Sequence, residues 1–199
     1  MKLSISLLAL ALWFAPSVHA QTPQWEIFGG GSYFRASAGS GSITLPDGTK
    51  EALQQNAYGW HASIAENKTS WFGGVMDFGG YYANRTVEGV QLNGSAYPFL
   101  FGPQFAFRRI SRVSLFAHPL IGGVHIRGNY SGGTSPLSET KWAFALGGGA
   151  DFRISDHLAI RGQGDWIRSH FAETLTKDSQ DNFAVTAGLV LTLGQAAGR

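Results

Sequence analysis

The chain has 199 residues, of which 27 are glycine and 13% aromatic; only 14% are charged, against the ~25% usual for a soluble domain. With 15 Lys+Arg against 13 Asp+Glu and no block of like charge, nothing points to a nucleic acid or to an acidic partner surface. No cysteine is present, which excludes disulfides, thiolate metal sites and lipidation at an N-terminal cysteine.

The first twenty residues carry Lys2, an apolar core from Leu7 to Phe14 and then "APSVHA", with Val18 and Ala20 at minus three and minus one. This predicts a secretory signal peptide, residues 1–20, cleaved after Ala20. Its apolar core is too short to span a bilayer. Residues 21–199 then form one domain whose charge is nearly balanced, since losing Lys2 lowers the 15 basic residues to 14.

Period-two alternation predicts eight strands, at 24–36, 56–66, 70–83, 94–109, 113–127, 141–154, 158–169 and 182–193. Most match or exceed the ~9 to 11 residues that cross a bilayer at a tilt. The connections alternate in length: tight turns at 67–69, 110–112 and 155–157, long loops at 37–55, 84–93, 128–140 and 170–181. That rhythm is expected of an all-β, antiparallel, up-and-down transmembrane barrel with short periplasmic turns and long extracellular loops.

Opposed residues of an antiparallel pair share a face, so each short turn sets a register. Across 155–157, Phe152 opposes Ile160 and Leu146 opposes Trp166, while the other face pairs Asp151 with Arg161 and Gly147 with Asp165. Across 67–69, Tyr58, Trp60 and Ile64 join Phe72, Met76 and Phe78, leaving His61, Ser63 and Asp77 opposite. Across 110–112, Phe99, Phe101, Phe105 and Phe107 join Leu115, Ala117 and Ile121, with Gln104 near His118. This register is the least constrained, because Phe116 and Leu120 make the fifth strand apolar on both faces and Pro98, Pro103 and Pro119 remove ladder donors. The last strand sets Leu189 and Leu191 against Thr186 and Gly188.

Alternation alone allows apolar-out in a membrane or apolar-in in a soluble periplasmic barrel binding an apolar ligand. Strand length, low charge, the leader and aromatics near strand ends (Trp25, Tyr33, Trp71, Tyr81, Tyr82, Tyr97, Trp142, Trp166) favour the membrane. Phe72, Met76, Phe99, Phe101, Phe144, Leu146, Ile160, Trp166, Leu189 and Leu191 are then expected to face lipid. Glu26, Asp77, Asp151, Arg153, Arg161 and Asp165 are expected to pair in one network inside a narrow lumen.

The stretches "WEIFGGGSYF", "KWAFALGGGADFRISDHLAIRGQGDWIRS" and "NFAVTAGLVLTLG", at the first, sixth to seventh and last strands, resemble the small OmpA-like and OmpX-like bacterial outer-membrane β-barrels. The resemblance implies an eight-stranded barrel in a bacterial outer membrane, surrounded by its lipid and inserted with periplasmic chaperones and the barrel assembly machinery. Two departures are visible: Leu193 stands where that family ends its last strand on an aromatic residue, and no peptidoglycan-binding segment follows, so a cell-wall tether is not implied.

Candidate chemistry is sparse. His61 and Ser63 have the spacing of the His and Ser of outer-membrane lipid A deacylases, but the register turns both inward and Ile64 replaces the Asn expected next, so a lipid-modifying enzyme is the weaker reading. The carboxylates read as ion-pair partners and not as acid-base pairs. The histidines lack metal-ligand spacing, and the glycine runs at Gly29 and Gly147 lack the lysine of a phosphate loop, so no cofactor is expected. The sequons at Asn67, Asn84, Asn93 and Asn129 read as turn chemistry. What remains is a non-catalytic structural or surface-interaction barrel whose loops face outward, with no wide pore.

Overall fold

The computed structural model describes residues 22–36, 42–44, 50–52, 55–87, 90–130, 137–170 and 179–194; the expected leader lies outside the described residues. The strands are β1 (Trp25–Ala36), β2 (Ser42–Thr44), β3 (Lys50–Ala52), β4 (Gln55–Asn67), β5 (Phe72–Val87), β6 (Val90–Ile110), β7 (Val113–Tyr130), β8 (Leu137–Arg153), β9 (Leu158–His170) and β10 (Ser179–Leu193). Eight of them close an antiparallel barrel in the order β1-β10-β9-β8-β7-β6-β5-β4. Closure leaves no unpaired edge, which is what a sheet needs in hydrocarbon.

The short hairpin of β2 and β3, pairing Ser42 with Ala52, occupies part of what alternation leaves as a plain loop. The expected loop at 84–93 is also shorter: β5 and β6 stay paired out to Val87 and Val90. Asn84, Asn93 and Asn129 accordingly lie in strands. Asn67 does too, pairing with Gly73, so turn chemistry does not account for the four asparagines.

The three short connections show how register follows from turn geometry. Between β8 and β9 the pairs are as expected, with Asp151 opposite Arg161 and Leu146 opposite Trp166. Between β4 and β5 the turn is wider: the amides of Lys68 and Thr69 both donate to the Phe72 carbonyl, and Glu66 opposes Gly74 where the sequence rule sets it opposite residue 70. An even shift of partner leaves every side chain on its expected face. Between β6 and β7 the pairs Phe101–Ile121 and Phe107–Leu115 match expectation, and the irregularity falls between Phe107 and Ile110 and not at the prolines. A bulge beside a tight turn re-aims its side chains; here it carries Arg108 and Arg109.

The outer wall is largely apolar. Met76, Phe99, Phe101, Phe144, Leu146, Ile160, Leu189 and Leu191 are exposed on it. Phe72 and Trp166 share that face but are half-buried, Phe72 among the rings of Trp71 and Phe105 and Trp166 against Phe144. Tyr81, grouped with the rim aromatics by position alone, points into the barrel and is buried. Outward glycines give room to outward rings: a Cβ on Gly80 would stand 2.5 Å from the Trp60 indole nitrogen.

Candidate functional site

Inward-facing residues build the lumen in layers. Nearest the short turns, Arg161 of β9 donates from Nε to Asp151 Oδ1 (2.6 Å) and from Nη2 to Asp151 Oδ2 and Glu26 Oε2 (both 2.8 Å). The bidentate clamp on Asp151 uses the planar guanidinium fork. Glu26 of β1 also accepts from Arg108 Nη2 at 2.6 Å and from Asn67 Nδ2 at 2.9 Å, and Arg108 reaches Asn67 Oδ1 at 3.0 Å. The Arg161 side chain is 1% exposed and that of Glu26 4%. Two guanidiniums and two carboxylates therefore balance in a nearly dry plug. Arg161 is also stacked on Phe116, its carbon 4.2 Å from the ring centre, with Phe28 at 5.3 Å. Burying a cation demands such partners, and this explains two aromatics on the inner face.

Above the plug two imidazole–carboxylate pairs follow. His118 Nε2 lies 2.8 Å from Asp165 Oδ1, and Gln163 donates to Asp165 Oδ2 at 2.9 Å. Gly147 makes this possible: a Cβ there would fall 1.8 Å from Asp165 Oδ1 and 2.7 Å from His118 Nε2. His61 Nε2 lies 2.5 Å from Asp77 Oδ2, its Nδ1 3.2 Å from Thr186 Oγ1, and Thr186 meets Ser32 Oγ at 2.8 Å. The order carboxylate, imidazole, hydroxyl is that of an activated nucleophile. However, Thr186 is 1% exposed, faces the lumen and is already engaged by Ser32, so the chain acts as a strap across β5, β4, β10 and β1.

The six expected lumen charges thus do not form one network. Arg161, Asp151 and Glu26 pair as a set; Asp165 and Asp77 take histidines instead. The physical reason is distance, since Arg161 and Asp165 are four residues apart on one strand, roughly 13 Å. Arg153 sits at the barrel mouth beside Ala159 and makes no ion pair with another described residue; Arg108 fills the role assigned to it. Continuing the β6 alternation from Gln104 would have placed Arg108 inside. Ser63 is buried in the lumen wall on the same side as His61, and neither is on the lipid face. Together the polar groups draw on all eight barrel strands: β1, β4, β5, β6, β7, β8, β9 and β10. Among the described residues no cluster of His, Asp and Glu has the makings of a metal site.

A closed eight-stranded barrel with a largely apolar outer wall and ion pairs buried across its lumen defines an integral barrel of the bacterial outer membrane. The chain belongs to the family described as the outer membrane protein beta-barrel domain, which matches residues 5–190. Solved structures of the same fold include Ail, the attachment invasion locus protein of Yersinia pestis (TM-score 0.55, 16% identity, covering 85% of this chain and 99% of that one). Others are Neisserial surface protein A (0.58, 10%, 85% and 97%) and OprG from Pseudomonas aeruginosa (0.55, 10%, 86% and 96%). At these identities the likeness concerns the fold. No curated protein matches the chain.

Proposed function

We propose that this chain is a non-catalytic barrel of the outer membrane whose loops contact the outside and whose lumen is plugged against ion flow. The observation that carries this reading is the buried Arg161–Asp151–Glu26–Arg108 set, which spans the lumen at the level where eight strands leave room only for side chains. The same reading takes residues 1–20 as a leader removed after Ala20, and places chaperones and the assembly machinery as partners during biogenesis and lipid as the partner of the outer wall. A surface role also agrees with Ail, the attachment invasion locus protein, solved in complex with the heparin analogue sucrose octasulfate. The test is conductance in planar bilayers: the refolded wild type is expected to give no steady porin-sized channel, and large stable openings would refute the plug.

A further inference from the structure

Above the Ser32–Thr186 strap the lumen changes character. A cavity of about 270 Å³ opens there, walled chiefly by Phe34, Ala57, Tyr81, Val124, Ile126 and Ile167. Among the described residues no charged side chain lines it, so an ion entering would lose its hydration without a counter-charge from them. Small residues keep the space open: Ala57, Ala83 and Ala96 stand where larger side chains would fill it. Its floor is the Phe34–Tyr81 ring pair, centroids 4.6 Å apart, with Tyr81 joined to Ser32 below. The Phe34–Tyr81 pair and the Ser32–Thr186 strap stand between the cavity and the charged plug.

Among the described lining residues the polar side chains are few: Ser95, Ser169, Asn182 and the hydroxyl of Tyr81. Asn182 of β10 lines the cavity, is 6% exposed, and its Oδ1 accepts no hydrogen bond in the structure. Buried acceptors are normally satisfied, so the unengaged carbonyl of Asn182 in this mostly apolar pocket marks the place for a donor. Ligand pockets commonly combine apolar walls with a few such polar groups. A dry cavity of about 150 Å³ accommodates benzene; one nearly twice that size suits one or two rings.

We propose that the loop-end half of the lumen binds a small apolar molecule, of one or two rings, carrying a single O–H or N–H donor that engages Asn182 Oδ1. This goes beyond the surface role proposed above and does not depend on it.

The test uses the refolded barrel of residues 21–199 in detergent micelles, with ¹⁹F relaxation of 4-fluorophenol and fluorobenzene as probes and empty micelles as the reference. Saturable binding of 4-fluorophenol, displaced by unlabelled phenol, is expected. Ala57→Phe should weaken both probes at least tenfold by filling the pocket, with Ala96→Phe as the second filled variant if the first fails to fold. Asn182→Leu, which keeps the branched heavy-atom shape and removes the acceptor, should weaken 4-fluorophenol about threefold to tenfold more than it weakens fluorobenzene. Uptake that does not saturate, or that equals that of empty micelles or of a folded filled variant, would overturn the site. Equal effects of Asn182→Leu on both probes would overturn the donor assignment.

Discussion

The two halves of the lumen solve the same problem, filling a narrow cylinder, by different chemistry. Toward the short turns, charge is buried and paired: Arg161 lies between two carboxylates and over two aromatic rings. Toward the loops, Ala143, Ala145, Ala184, Leu120 and Ile167 form an apolar core that a soluble protein would recognise, and it leaves a cavity. Directional bonds hold the first half in one arrangement, whereas the second rests on non-directional packing. The difference teaches that the inside of such a barrel is not uniformly polar, and that directional bonds are concentrated at the end nearest the turns.

The sharpest way to break this comparison is at Arg161. Arg161→Ala leaves Glu26 and Asp151 buried with much of their compensation gone, and a loss of about 3–5 kcal/mol is expected, read as a shift of the urea unfolding midpoint in micelles. Asp151→Ala should also destabilise, and the double variant should cost less than the two single changes together. Strictly additive effects would mean that water enters the plug and each group is solvated independently.

The outer wall gives the next largest effect. Leu146→Arg or Ile160→Arg should cost roughly 2–4 kcal/mol if these positions sit near the bilayer midplane. Both are about half exposed on the outside of the barrel, at 52% and 49%. Vesicle-folding titrations that rank Gln163→Lys, an inward substitution, as better tolerated would support the facing; a reversed ranking would overturn it.

Between the two halves lies the His118–Asp165 pair, and Gly147 is its weak point. Gly147→Ala forces a methyl group into Asp165, so a cost of about 1–3 kcal/mol is expected from overpacking. Gly162→Ala, at a position with open space around it, should be near neutral in the same assay. Similar losses at both glycines would mean that backbone effects, and not the pair, set the cost.

The smallest change is predicted at the loop end. Ile167→Val removes one methylene beside an existing cavity, so its cost should fall at or below the low end of the usual range of about 0.5–1.5 kcal/mol. A value well above that range would show the loop-end half to be as tightly packed as the plug.

Much of this architecture is local in origin and therefore readable from residue order. Alternation assigns a face to every residue of a strand, so Leu146, Ile160, Leu189 and Leu191 fall outside while Asp151, Arg161 and Asp165 fall inside, whatever the partner strand. A tight turn such as 155–157 then sets Asp151 opposite Arg161, because antiparallel pairing leaves one register once the turn length is known. Membership among outer-membrane barrels rests on the same local pattern repeated along the chain.

Closure decided the rest. Glu26 and Arg161 are separated by 135 positions and meet because closure pairs β1 with β10 and so sets β1 next but one to β9, which no pattern within a strand encodes. Closure also brought in Arg108 of β6, beside a bulge, to Glu26 of β1; Asp77 meets His61 across the β4–β5 hairpin and Asp165 meets His118 over Gly147 of β8, while Arg153 has no ionic partner among the described residues. The closed sheet also turned Phe28 and Phe116 into supports for a buried guanidinium. The sequence by itself determined on which side of the wall each residue stands, since that depends on the geometry of one strand; which residues touch across the lumen was decided only by the curvature and stagger of the closed sheet.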